Sequence, residues 1–465
     1  MEVRRRDHRA DRLSPPPSGA ETGRAIVIEP WRKSPQRKSG THTTSDTRSP
    51  EARLEEAVGL ARAIDLNVVE RGLVTLNEIR PATYIGKGKV DEIAGLAKST
   101  SASVVIMDCP ISPVQQRNLE RAWNTKVIDR TGLILEIFGR RARTREGSLQ
   151  VELAHLTYQK GRLVRSWTHL ERQRGGFGFL GGPGETQIET DRRVIEERIA
   201  RIEDELDKVK RTRKLHRDSR KRVPYPIVAL VGYTNAGKST LFNSMTAARV
   251  VSADMLFATL DPTLRAVELP HGARIILSDT VGFISDLPTM LVAAFRATLE
   301  EVVEADIILH VRDVSHEDSG AQSHDVGKVL EELGIEQDDP RLIEVWNKID
   351  RLTADERTRI FNQAERHQHQ REPLPVSALT GEGLEDLLVA IEHRLSKKRQ
   401  TLRVSIEPSD GAGLSWLYRH SEVLSRELND EGHLVLCVRA DPKNVELVKH
   451  KFPAAMEIKP PSPME

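Results

Sequence analysis

An α/β fold with a mostly parallel central sheet is predicted by three observations. The apolar run Ile227-Val228-Ala229-Leu230-Val231 leads into Gly232-Tyr233-Thr234-Asn235-Ala236-Gly237-Lys238-Ser239, and Ser239-Thr240-Leu241-Phe242-Asn243 then opens a helix. A second run, Arg274-Ile275-Ile276-Leu277-Ser278, delivers Asp279-Thr280-Val281-Gly282 to its end. Further on stand Asn347-Lys348-Ile349-Asp350 and, after Leu374-Pro375-Val376, Ser377-Ala378. Each motif is weak singly, since an N-K-x-D tetrapeptide is most often a solvated turn. Four in order, each behind an apolar run, specify a P-loop GTPase domain with ligand at the carboxyl ends of the strands.

The chemistry follows from the residue types. Glycines let the loop's backbone N–H groups surround phosphate oxygens, and the following helix points its positive end at them. Lys238 neutralises the β- and γ-phosphates, and the Ser239 hydroxyl ligates magnesium. Asp279 holds the metal through water, and the Gly282 N–H senses the γ-phosphate. The Asp350 carboxylate accepts guanine N1–H and the exocyclic amine, a pairing adenine cannot offer, so the substrate is GTP. Ser377-Ala378 supplies the backbone contact to the guanine carbonyl.

The first switch is Phe257-Ala258-Thr259-Leu260-Asp261-Pro262-Thr263. Thr259 and Thr263 both qualify as its magnesium ligand; Thr259 is favoured, and a surface turn is the alternative for either. Catalysis is assigned to Lys238, Thr259 and Gly282, and magnesium ligation to Ser239 and Thr259. Where many small G proteins place a water-orienting glutamine, this chain has Phe283, which cannot hydrogen-bond, so slow intrinsic hydrolysis is expected. Asn235 stands where it can ligate a monovalent cation such as potassium; support of the loop's own backbone is the alternative.

Composition bounds the rest. The 465 residues suggest about three domains by the usual prior. Only Cys109 and Cys437 occur, which argues against a disulfide framework or a cysteine metal cluster. None of the 15 histidines falls in an H-E-x-x-H pattern, so no metalloenzyme or covalent nucleophile rivals the magnesium chemistry. No apolar stretch is long enough to span a membrane, and the N-terminus has no secretory core. The expected location is the cytoplasm, with peripheral membrane association left open, and the expected state is a monomer.

Residues 1–50 are crowded with Arg, Ser, Thr and Pro and read as a disordered tail. Residues 51–138 alternate: helix-like Leu54 to Ile64, β-type Asn67 to Leu76, helical Lys89 to Lys98, strand Val104 to Asp108, helix Pro113 to Ala122 and strand Thr125 to Asp129. That order predicts a small parallel α/β domain. Tyr84-Ile85-Gly86-Lys87-Gly88-Lys89 lacks Walker spacing and reads first as a turn before a helix, with a nucleotide or RNA contact as the alternative.

Residues 139–222 carry a net charge of +9 against +1 for the whole chain. Ile195, Ile199, Ile202, Leu206 and Val209 recur at coiled-coil spacing, and Leu149, Leu153, Leu156 and Leu163 form a second stripe. An antiparallel helical hairpin follows, its tip carrying glycines 175, 176, 178, 181, 182 and 184 with Phe177 and Phe179 between them. Stacking faces beside Arg172 and Arg174 suit RNA; a solvated helix face with the rings tucked inward is the alternative. The GTPase domain is placed at 223–397. A small α+β domain at 398–465 has strands Leu402 to Ile406 and Gly432 to Val438 around a helix from Leu414 to Leu428.

The phosphate loop G-Y-T-N-A-G-K-S, the switch F-A-T-L-D-P-T, D-T-V-G-F and the stretch Gly175 to Glu185 together resemble the HflX family of translation-factor-related GTPases over roughly residues 50 to 400. The resemblance implies a GTPase, stimulated by ribosomes, that binds the large ribosomal subunit and its rRNA and splits or rescues stalled or stressed ribosomes. It also implies a link between the N-terminal domain and ATP. A GTP-gated RNA chaperone or assembly factor without splitting activity is the alternative, and a signalling switch with a protein effector fits the basic hairpin less well.

Overall fold

The computed structural model describes residues 23–32, 48–171, 183–220, 225–246, 256–257, 259, 262–286, 299, 301–366, 373–396, 400–429, 432–440 and 442–458. These fall into two compact units: residues 1–209 with 254–257 and 286–295, and residues 210–253, 258–285 and 296–465.

The first unit is led by β1 (Arg24–Arg32), which corrects the reading of residues 1–50 as tail throughout. Ala25, Ile26, Val27 and Ile28 are buried, and β1 pairs in parallel with both β2 (Asn67–Leu76) and β3 (Val104–Met107). Four consecutive apolar side chains buried on both faces outweigh the polar composition around them. Between β1 and β2 lies α1 (Pro50–Arg62), capped by the Ser49 side chain on the Ala52 N–H. The helices α2 (Lys87–Ser99) and α3 (Pro113–Trp123) follow, with β4 (Lys126–Asp129) and α4 (Arg130–Arg141) behind them. Strand order is β2-β1-β3-β4, all parallel, as βαβ crossovers require. A capping box at Ser112 and Gln115 fixes the start of α3, and Asp129 caps α4. The buried Arg130 guanidinium reaches Asp108 at 2.6 Å and Glu56 at 2.5 Å, so its charge is paired on both sides.

The long helices α5 (Arg145–Glu171) and α6 (Pro183–Arg220) form the hairpin. Leu149 packs with Ile202 and Leu206, and Leu153 and Leu156 extend the seam. Arg145 pairs with Glu205 at 3.0 Å, Glu152 with Arg198 at 2.8 Å and Lys160 with Glu196 at 3.0 Å, a descending order that makes the helices antiparallel. Such exposed pairs add little stability each but fix the register. Most of the glycine-rich tip, residues 172–182, lies outside the described residues.

The second unit holds the six-stranded sheet β10-β9-β8-β5-β7-β6. Its strands are β5 (Ile227–Gly232), β6 (Thr263–Glu268), β7 (Arg274–Asp279), β8 (Ile307–Asp313), β9 (Leu342–Asn347) and β10 (Leu374–Pro375). Only β6 runs antiparallel. The connecting helices are α7 (Lys238–Thr246), α8 (Ser319–Glu332), α9 (Ala354–Arg366) and α10 (Leu384–Ser396). Val228, Leu230, Leu309, Val311 and Val345 face Leu241, Phe242, Leu387 and Ile391 in one core. Fully burying a side chain such as Phe242 is worth about 2 to 3 kcal/mol, and this core holds β5 rigid where the phosphate loop begins.

Beyond it come β11 (Gln400–Ile406), α11 (Gly411–His420), β12 (Glu422–Leu428), β13 (Leu434–Ala440), α12 (Pro442–Lys451) and β14 (Met456–Ile458). Their sheet, β12-β13-β11-β14, is antiparallel. The expected helix over Leu414 to Leu428 is half helix and half strand. It stops at His420 because Ser421 turns extended (φ −151, ψ 159), and the chain then pairs with β13.

Candidate functional site

The phosphate loop leaves β5 at Gly232 and closes on Lys238, the first residue of α7. Gly237 holds φ +93, and a Cβ there would stand 2.2 Å from Asn347 Nδ2, so glycine is required. Lys238 is buried and rests on neutral carbonyls, its Nζ donating to Tyr233 at 2.8 Å and Gly232 at 3.1 Å. Burial lowers its pKa to about 8, and Asp279 offsets only part of that. A polyphosphate in the loop would stabilise the ammonium form.

At the mouth of the loop three oxygens converge. Ser239 Oγ donates to Asp279 Oδ2 at 2.7 Å, Thr259 Oγ1 donates to the same oxygen at 2.8 Å, and the two hydroxyls are 2.8 Å apart. Asp279 is wholly buried, and burial raises its pKa against the pull of Lys238. Its Oδ1 has no hydrogen-bond partner among the described residues. Two hydroxyls and an orphaned carboxylate oxygen are a hard, oxygen-only donor set that suits magnesium with phosphate oxygens completing the shell. Among the described residues no cluster of three His, Cys, Asp or Glu offers another metal centre.

The segment after Asp279 is fastened to the loop. Thr280 Oγ1 donates to Leu230 O at 2.5 Å, the Phe283 N–H to Gly232 O at 3.1 Å, and the Thr234 N–H to Phe283 O at 2.7 Å. Gly282 lies so close that an added Cβ would be 2.9 Å from Thr234 Cγ2 and 3.1 Å from Lys238 Nζ. The Ser285 N–H donates to the Tyr233 hydroxyl at 2.8 Å. Phe283 is buried and offers no polar group to a reacting water.

The two loops expected to read the base meet at Asn347. Its Nδ2 donates to Ala236 O at 2.8 Å and its Oδ1 accepts the Ala378 N–H at 3.0 Å. The Ser377 hydroxyl donates to Asp350 Oδ1 at 2.6 Å and accepts the Thr380 N–H at 3.1 Å. The carboxylate is thereby oriented before any base arrives, with Ile349 buried beneath it.

Four family profiles match the chain in succession: "GTP-binding GTPase N-terminal" at 51–139, "GTP-binding GTPase Middle Region" at 141–220, "50S ribosome-binding GTPase" at 227–348 and "HflX C-terminal domain" at 362–456. GTPase HflX of Magnetococcus marinus is 50% identical over 384 residues, covering 82% of this chain and 87% of that one. GTPase HflX of Escherichia coli is 48% identical over 359 residues, covering 77% and 83%. The chain belongs to the HflX family of GTPases.

Within this HflX-family chain the structure brings together Gly232, Tyr233, Thr234, Ala236, Gly237, Lys238, Ser239, Thr259, Asp279, Thr280, Val281 and Gly282 on one side. Asn347, Lys348, Ile349, Asp350, Ser377 and Ala378 stand on the other, joined to them by the Asn347–Ala236 bond. Thr259, and not Thr263, reaches Ser239; Thr263 is spent as the first residue of β6. Asn235 has φ 60, a left-handed conformation asparagine tolerates well. The Phe257 ring packs edge-on against Phe138, centroids 4.7 Å apart, both residues belonging to the first unit. Ala258, Leu260 and Asp261 lie outside the described residues. Ser285 is the residue sequence reading overlooked. Its part is played by a backbone N–H, which carries no residue-type signal.

Proposed function

We propose that this HflX-family GTPase binds the large ribosomal subunit through its basic hairpin and uses GTP to separate or rescue ribosomes. Ser239 and Thr259, with Asp279 beside them, would hold magnesium, Lys238 and the Gly282 N–H would stabilise charge on the γ-phosphate, and Asp350 would read guanine. Magnesium supplies Lewis-acid neutralisation of the phosphate oxygens when bound.

The observation that carries the reading is Phe283. It occupies the water-orienting position, is buried, and is bonded through its backbone to Gly232 and Thr234, so its side chain offers no group to orient water. A partner completes the site, and the +9 charge of residues 139–222 supports a polyanion such as rRNA in that role. Potassium near Asn235 is a further proposed aid to turnover. The chain is proposed to act as a monomer in the cytoplasm; among the described residues no helix is long and apolar enough to cross a membrane.

Sedimentation of intact ribosomes after incubation with the protein and GTP tests this reading. Separated subunits, and their loss on deleting Gly175 to Gly184 with GTP binding retained, are expected. Attachment to the large subunit without separation would instead support a GTP-gated assembly factor, and turnover as fast without ribosomes as with them would remove the ribosomal role.

A further inference from the structure

We propose that Asp313, with Ser315 behind it, is a positioning residue for guanine binding, which it serves by holding Lys348 extended before the nucleotide arrives. This rests on reading Asn347 to Asp350 as the base-recognition loop. Asp313 ends β8 and pairs in register with Asn347, the last residue of β9, so the two strands present it directly beside that loop. The Lys348 ammonium lies 2.7 Å from Asp313 Oδ2, with the two side chains only 12% and 10% exposed.

Asp313 is itself fixed: its Oδ1 accepts the Ser315 N–H at 3.0 Å and the Ser315 hydroxyl at 2.6 Å. The Val314 N–H donates to Asn347 O at 3.2 Å, tying the same turn to the loop's backbone. Lys348 holds φ 68, a left-handed conformation unfavourable for lysine. Its Cε passes 3.9 Å from the place a Cβ on Gly237 would take, so the stem runs across the phosphate loop's last glycine.

A lysine stem pinned at its charged end is an apolar strip, a surface on which a planar base can lie. A free lysine would pay its rotamer entropy on binding; one already held by Asp313 does not. The effect belongs to the face of the purine ring and not to its hydrogen-bonding edge. Asp313 therefore sets affinity for any purine that Asp350 admits and leaves the choice among them to Asp350. A fixed carboxylate also raises the local negative charge, so simple electrostatics makes the opposite prediction: removing it would tighten nucleotide binding.

The test is calorimetric titration of the full chain with GDP and with inosine diphosphate. Asp313→Asn is expected to weaken both by about tenfold, keeping their ratio, while kcat at saturating GTP stays as it was and KM rises. In a Lys348→Met background, where the stem remains and the ammonium is gone, Asp313→Asn should add no further loss. Ser315→Ala, a smaller change to the same support, should give a loss in the same sense of about two- to threefold. Unchanged or tighter binding in Asp313→Asn, or a full additional loss in the Lys348→Met background, would overturn the proposal. Should the unaltered protein show no preference for GDP over ADP, it is the base-loop reading itself that fails.

Discussion

Asn347 and Ala236 are joined across the site, the Asn347 side-chain amide donating to the Ala236 carbonyl at 2.8 Å, so the phosphate loop is tied to the loop proposed to recognise the base. The same side chain takes the Ala378 N–H, and all three residues are buried. Asn347→Ala would leave a buried carbonyl and a buried N–H unpaired, at a cost of about 2 kcal/mol. Chemical denaturation of the nucleotide-free protein should show that loss, and GDP affinity should fall by more than tenfold. A variant with lowered stability and intact affinity would mean the clamp serves the fold alone.

The Ser239–Thr259–Asp279 triangle predicts how metal removal acts. Chelation should speed GDP release from the unaltered protein by at least about tenfold, because a divalent ion bridging protein and phosphate is worth more than 1.4 kcal/mol. Ser239→Ala should already release GDP at close to that faster rate and respond little to chelator. Stopped-flow release of a fluorescent guanine nucleotide measures both.

His310 in β8 is fully buried, and burial lowers its pKa to about 4, with Glu344 opposing and Arg312 assisting. Folded protein keeps it neutral while the unfolded chain takes up a proton near its ordinary value of 6.5. Between those values the unfolded state binds more protons, so stability is whole above about pH 6.5 and falls as pH drops toward 4, by about 3 kcal/mol in all. His310→Gln, which cannot titrate, should flatten the pH dependence of denaturation in that window. An unaltered slope would place the acid sensitivity elsewhere.

How far the sequence could be read depended on how local each signal was. The phosphate loop, the Asp279 segment and the two base-reading loops are contiguous tetrapeptides or octapeptides behind strands, and each was legible because its geometry is set by its own backbone. β1 was not: its four apolar residues sit in a stretch whose composition is polar, and their burial depends on β2 and β3, which lie dozens of residues away. The overlong helix at Leu414 to Leu428 failed for a similar reason, since pairing with β13 decides the state of β12. The Phe257 ring meets Phe138, 119 positions earlier, a pairing to which no local pattern points. The Tyr233–Ser285 bond spans 52 positions and ends on a backbone N–H, a contact to which no residue pattern points.

Asp350, oriented by Ser377, is proposed to choose guanine for the site headed by Lys238. Calorimetric titration with GDP and with xanthosine diphosphate, on the unaltered chain and on Asp350→Asn, tests it most directly. Xanthine carries a carbonyl where guanine has its amine, so an asparagine amide pairs with it and a carboxylate does not. The unaltered chain is expected to bind GDP far more tightly than xanthosine diphosphate, and Asp350→Asn to reverse the order. A variant that folds and still prefers GDP would contradict it.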